Sequence, residues 1–328
     1  MLFGFAKRTG SFGPIRRSTD LVDRLPQLRT DPPSIYVDLE GIDLSREGSI
    51  SILTFMLYPC EPQKHIYLID VHILGCLAFN TPGKSGKTMK GILESPAIPK
   101  VFFDVRNGSD ALYAHFNIAL HGVEDVQLME NASRGTGSKR LLKGLAKCIE
   151  FDAVVGYHTK RTWKIAKENG EHLFNPQKGG SYEVFNSRPL AEDIRAYCAG
   201  DVQYLPHLRN LYRGKLTTLW KVKVADETKN RVLKSQMSNY QPHGKDRALG
   251  PWPDEQTFIG KFWNQDDILD SLWEDFEDGY DDDWYDDGGD NDYEDWTRAP
   301  WQGPPSWVLE ENRYSWVPGY VSSGLEGC

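Results

Sequence analysis

The chain has little cysteine and no long apolar run. Its five cysteines (Cys60, Cys76, Cys148, Cys198 and Cys328) are odd in number and scattered, with no CxxC pair and no zinc spacing to the eight histidines. That excludes a disulfide-stapled or zinc-ribbon scaffold and fits a reducing, intracellular compartment. No stretch approaches the roughly 18 consecutive apolar residues of a membrane-spanning helix, so no membrane partner is expected. Apolar residues make up only 39% of the chain and the mean hydropathy is −0.53, too low for 328 residues packed throughout. A complete phosphate-binding loop is missing too. Gly86-Lys87-Thr88 would need a glycine five residues earlier, where Thr81 stands, so Asn80 to Lys90 reads as a flexible loop.

Charge is present but divided. The net charge is −9, yet between Asp254 and Asp295 there are 18 acids against the single Lys261. Setting that stretch aside leaves about +8 for the remainder. A basic body suits a polyanionic partner such as nucleic acid. The acidic stretch is either a solubilising tail or an intramolecular competitor for the basic surface. The first residues hold Lys7, Arg8, Arg16 and Arg17 and no acid before Asp20. They read as a disordered basic arm, with a mitochondrial presequence as the other possibility.

Between these ends, β-forming runs come first. Ile35–Glu40, Ser49–Pro59 and His65–Gly75 have short connections, which predicts an antiparallel meander. Before them, Asp20–Leu28 reads as a short helix behind cap signals. After them come a strand at Lys100–Phe103, a helix over Asn107–Asn117, a strand at Val123–Met129 and a basic amphipathic helix over Lys139–Ile149. A further helix is expected at Trp163–His172. The strongest helical stretch is Leu190–Tyr212, to be divided or kinked at Pro206. Gly200 inside it costs about 1 kcal/mol relative to alanine. The expectation is a basic arm over 1–19, one α/β or α+β domain over 20–225, and an acidic, aromatic-rich, largely disordered tail over 226–328.

Two local patterns carry chemistry. Asp38 and Glu40 alternate with Leu39 at the end of a strand, so both carboxylates project from one face about 7 Å apart along the chain. Like charges so placed repel and call for water or a divalent cation. Tyr197 and Asp201 are four apart on a helix, hence on one face. Carboxylates gathered from a strand and a distant helix are what two-metal phosphoryl transfer needs.

With YVDLEG and AYCAGDVQYL in the right order, the chain from about Asp20 to Val224 resembles the 3′–5′ exonuclease domain of the DEDD superfamily. The likeness is to the ribonuclease D and Werner exonuclease branch and its tyrosine subgroup, most of all to fungal exonuclease domain-containing proteins. The resemblance implies a ribonuclease H-like mixed sheet (an antiparallel meander plus parallel strands) flanked by helices. It implies trimming of nucleic acid, RNA or DNA, from the 3′ end with Mg²⁺ or Mn²⁺. Asp38, Glu40 and Asp201 would be metal ligands and Tyr197 would orient the attacking water. Lys139, Arg140 and Lys143 are candidates for phosphate contacts.

The second family motif departs from the pattern. Aligned through KVFF and FNIAL, the position of its metal-binding aspartate is Gly108. Asp110 is a further candidate ligand, although two residues turn a helix by about 200°; Asp104 and Asp125 are others. Two readings follow: an exonuclease, with two ions if the site is complete, or a catalytically impaired exonuclease fold that binds nucleic acid.

Overall fold

A computed structural model describes residues 35–57, 64–135, 138–252 and 312–317, together with Val22 and Pro33. The helix expected at Asp20–Leu28 lies outside these residues apart from Val22. β1 (Ile35–Glu40) forms the middle of a mixed sheet. It pairs antiparallel with β2 (Ile52–Leu57), which pairs antiparallel with β3 (Lys64–Asp70). The expected meander is thus present, though β3 stops at Asp70, whose carboxylate caps the short helix α1 (Val71–Leu74). Two further short helices, α2 (Leu77–Asn80) and α3 (Met89–Leu93), flank the loop that resembles a phosphate-binding loop. β4 (Lys100–Phe102) then returns to pair parallel with β1.

α4 (Val105–Phe116) leads to β5 (Val123–Asp125), parallel to β4. The strand expected over Val123–Met129 is cut short because Asp125 accepts from the Gln127 amide and starts α5 (Val126–Ser133). The basic helix expected over Lys139–Ile149 is displaced, and α6 spans Leu145–Asp152. Residues around Leu141 instead pair with the chain near Leu249 through an isolated bridge and the Leu142–Ala248 and Gly250–Arg140 backbone bonds. α7 (Tyr157–Phe174) follows, then two turns of 3₁₀ helix, then α8 (Glu192–Gln203) and α9 (Leu205–Lys215). Pro206, in the first turn of α9, divides the long helical stretch as expected, since proline is tolerated only where the amide has no helical partner.

α10 (Thr218–Ser235) crosses residue 225, where composition had put the domain edge. Its second half is fixed by Thr228, Arg231 and Ser235, all buried, and the described chain stays attached as far as Trp252. Beyond it, β6 (Asn312–Val317) pairs parallel with β3 at the sheet edge, completing the order β5-β4-β1-β2-β3-β6. The region expected to be a largely disordered tail therefore contributes a helix half and a strand to the fold.

Strand alternation divides the core between the two sheet faces. Ile35, Val37 and Leu39 pack with Leu93, Val105, Leu112 and Val232 on one side. Tyr36, Ile52 and Met56 pack with Cys198, Val202 and Leu208 on the other. Cys148 and Cys198 are free and buried. Cys76 is disulfide-bonded. No described helix is long and apolar enough to cross a membrane.

Candidate metal centre

The alternation that sends Leu39 into one core sends Asp38 and Glu40 toward the other, where α8 lies. There Asp201 completes a group of three carboxylates whose nearest ligand atoms all lie within 4.8 Å of one another. Asp201 is 5% exposed, while Asp38 and Glu40 are half-buried at the strand end. The sequence reading thus has Asp38, Glu40 and Asp201 brought together, with Tyr197 one helical turn before Asp201.

Two glycines let α8 come so close. A Cβ on Gly170 of α7 would fall 2.6 Å from Tyr197 side-chain atoms, and one on Gly200 would lie 3.2 Å from Trp163 Nε1. The Trp163 indole donates to the Gly200 carbonyl at 3.2 Å. Gly200, costly to a lone helix, is thus explained by the α7–α8 contact. The Tyr197 ring is further held edge-on by Phe174, 4.9 Å between centroids.

Lys167, on α7, is the residue that the sequence reading missed. Its ammonium donates to both Asp201 oxygens, at 2.8 and 2.9 Å, and sits 4.0 Å from the Tyr197 ring centroid. The signal was present: Lys167 lies on the stripe Trp163, Gly170, Phe174, which packs inward, and a lysine on such a stripe needs a buried acid.

One ammonium among three acids leaves an excess of negative charge, and proton affinities register it. Burial, then the Asp201 charge, pushes Asp38 up to about 7, against the pull of Lys167. Burial and Asp38 raise Glu40 well above the usual carboxylate range. Asp201 is also raised, burial outweighing Lys167 and a hydrogen bond from Tyr197. Burial opposes the Lys167 charge, but Asp201, Glu40 and Asp38 overcome it and raise the lysine. A compact set of carboxylate oxygens with unneutralised charge fits a hard divalent cation.

The other candidates lie elsewhere. Asp110 does not join the cluster, and its place as a metal ligand is corrected. It is 1% exposed, with its two oxygens taken by the Arg46 amide at 2.7 Å and the Arg46 Nε at 2.6 Å. Two residues round the helix turn it away from the face of Gly108. Position 108 itself lies against β1: a Cβ there would lie 2.9 Å from Leu39 Cδ1, the residue between the two first-motif acids. Asp104 is tied to Arg106, Arg231 and Arg247, and Asp125 accepts from three backbone amides and Arg231. Lys143 bridges Glu130 and Asp152. Lys139 donates to the Arg134 carbonyl and lies against Trp220. Arg140 is exposed. None of the three is on a helix.

A mixed sheet whose central strand ends in two acids, met by a third from a helix, defines a carboxylate centre of the kind used for phosphoryl transfer. The chain belongs to the 3′–5′ exonuclease domain family, which matches residues 14–217. No curated protein matches it. Among solved structures it is similar to Trypanosoma brucei RNase D in complex with GMP, at 22% identity and TM-score 0.53, over 68% of this chain and 62% of that one. It is also similar to the same organism's RNase D in complex with RNA U12, at 20% identity and TM-score 0.53, over 74% and 79%. The chain therefore spans less than two thirds of the first of these relatives.

Proposed function

We propose that the protein is a metal-dependent 3′–5′ exonuclease that releases nucleotides from nucleic-acid 3′ ends. The observation that carries this reading is the convergence of Asp38, Glu40 and Asp201 within 4.8 Å in a chain of this family. Asp38, Glu40 and Asp201 would hold Mg²⁺ or Mn²⁺, which when bound supplies charge stabilisation to the oxygens around the scissile phosphorus. Hydrolysis joins a water oxygen to phosphorus while the bond from phosphorus to the 3′-oxygen breaks. The leaving oxygen keeps the electron pair and takes a proton, and a 5′-mononucleotide departs.

Tyr197 keeps its own proton, because burial pushes its phenol well above the usual tyrosine range. It donates to Asp201, and its oxygen accepts from the attacking water, which it orients without acting as a base. Arg161 and Lys164, exposed on the outer turns of α7 before Lys167, join Arg140 as phosphate contacts. Lys139 and Lys143 are more engaged within the fold. RNA is the first substrate to try, given the U12 complex of the similar RNase D.

Purified protein and its Asp38→Ala/Glu40→Ala variant, incubated with end-labelled single strands and Mn²⁺, test the proposal. Stepwise trimming by the first and none by the second is expected; equal behaviour of the two overturns it. Gly108 favours one further reading, an impaired fold that holds nucleic acid without cutting it. Tight binding with no trimming in this assay would select that reading.

A further inference from the structure

At the carboxylate centre a glycine stands where the family motif has an acid, and a lysine is paired to one of the three acids present. Position 108, which abuts Leu39 between the two first-motif acids, carries no side chain, and the Leu39 methyl lies where a Cβ would project. Lys167 meanwhile puts an ammonium against both oxygens of Asp201. These two features come from different helices, and both leave the centre less negative than four unpaired carboxylates would. Four carboxylates balance two divalent cations. Three carboxylates and one ammonium balance a single one.

Lys167 is not a surface lysine that has folded inward. Its side chain is 16% exposed and its ammonium stands over the Tyr197 ring. Its helix is locked to α8 by the Trp163–Gly200 bond and by the close approach of Gly170 to Tyr197. Swinging the lysine out would strip the cation from a tyrosine face and a buried carboxylate together. Asp201 keeps free lone pairs, since each carboxylate oxygen has two acceptor sites, so a cation ligand and a lysine partner are compatible on it.

From this we propose that the centre takes one divalent cation, and that the Lys167 ammonium supplies the second positive charge. Lys167 thus acts as a built-in counterpart to a second ion. The inference rests on the cluster being a metal centre for phosphoryl transfer.

Manganese titration of the full chain tests it, followed by calorimetry and by electron paramagnetic resonance. One equivalent of Mn²⁺ with an uncoupled spectrum is expected. Lys167→Met should tighten that site about tenfold or more, because a competing positive charge has gone. Lys167→Arg should keep the wild-type affinity. Two Mn²⁺ ions with the magnetic coupling of a pair about 3.5–4 Å apart would overturn the inference, as would unchanged Mn²⁺ affinity in Lys167→Met or binding of no Mn²⁺. Should Lys167→Met fail to fold, the wild-type stoichiometry decides alone. The two claims fail separately. One ion without trimming removes the exonuclease reading and leaves the stoichiometry. Two ions with trimming removes the stoichiometry and leaves the exonuclease.

Discussion

Two acidic regions invite comparison, and the proton affinity of Asp104 in one is shifted in the opposite direction to those of all three acids in the other. In one, Asp104, Asp110 and Asp125 meet Arg46, Arg106, Arg231 and Arg247. Burial would raise Asp104, but Arg106 and then Arg231 and Arg247 hold it well below the usual carboxylate range. In the other, Asp38, Glu40 and Asp201 share Lys167, and burial with mutual repulsion pushes Asp38 up to about 7. Each region holds three carboxylates. What differs is the supply of counter-charge, and that supply separates a fastening from a reactive centre. An acid met by arginines is finished; an acid left short of cations still has something to bind.

The strongest way to break the comparison is at the reactive centre. Asp38→Asn should lower trimming by about three orders of magnitude or more, as loss of an essential group commonly does, measured on a labelled single strand. The same variant should melt higher than wild type without metal, because one repelling charge is gone. A lower melting point would show that Asp38 is held for structure.

At the fastening the expected result is reversed. Arg231→Met leaves Asp125, fully buried, without its 2.8 Å partner. It should cost about 3–5 kcal/mol, read by chemical denaturation, with the Mn²⁺ affinity of whatever remains folded unchanged.

pH separates the two regions by sign. Asp38 has a folded pKa raised from an ordinary 3.8 to about 7. Between these values the unfolded chain has lost a proton that the folded chain keeps, so its contribution to stability falls as pH rises from about 4 to about 7. Asp104 is depressed, so its contribution is complete above pH 4 and is lost as pH falls below that. Denaturation in chelator at pH 4.5, 5.5 and 7 should show the stability gap between Asp38→Asn and wild type widening with pH. A constant gap would deny the raised pKa.

The smallest effect concerns the acidic stretch. Replacing the acids from Asp254 to Asp295 by Asn and Gln, with Asn312–Val317 left in place, should tighten single-strand binding a few-fold at low salt. That gain should vanish where the screening length is about 3 Å, near 1 M salt. Equal affinity at every salt would show that the stretch does not compete with nucleic acid.

The sequence made the reactive centre legible where its logic is local. Alternation on a strand places Asp38 with Glu40, and a helical turn places Tyr197 with Asp201. Lys167 escaped because its role depends on how closely α7 and α8 approach, which is set by Gly170 and Gly200, two residues without side chains. The helix over Lys139–Ile149 was misplaced for a related reason. Its first residues spend their backbone bonds on Ala248 and Gly250, a partner more than a hundred positions away. The domain edge at 225 was set too early because beyond it α10 is buried through Thr228, Arg231 and Ser235, which carry no hydrophobic signature, with Val232 as the single apolar signal. The order of β-runs and helices pointed to one α/β or α+β domain, and the family resemblance supplied the ribonuclease H-like mixed sheet that the strand pairing bears out.

Arg46 has a consequence for how the molecule is made. Its guanidinium bonds Asp110 and the carbonyls of Ser235, Met237 and Ser238. During synthesis β1 to β5 and both carboxylate motifs emerge from the ribosome before those carbonyls do. Until they arrive, the guanidinium beside Asp110 lacks its remaining acceptors. A fragment ended at residue 225 would be arrested in that state, with Asp125 also denied Arg231. Recombinant forms meant to report on the nuclease should therefore extend through Trp252.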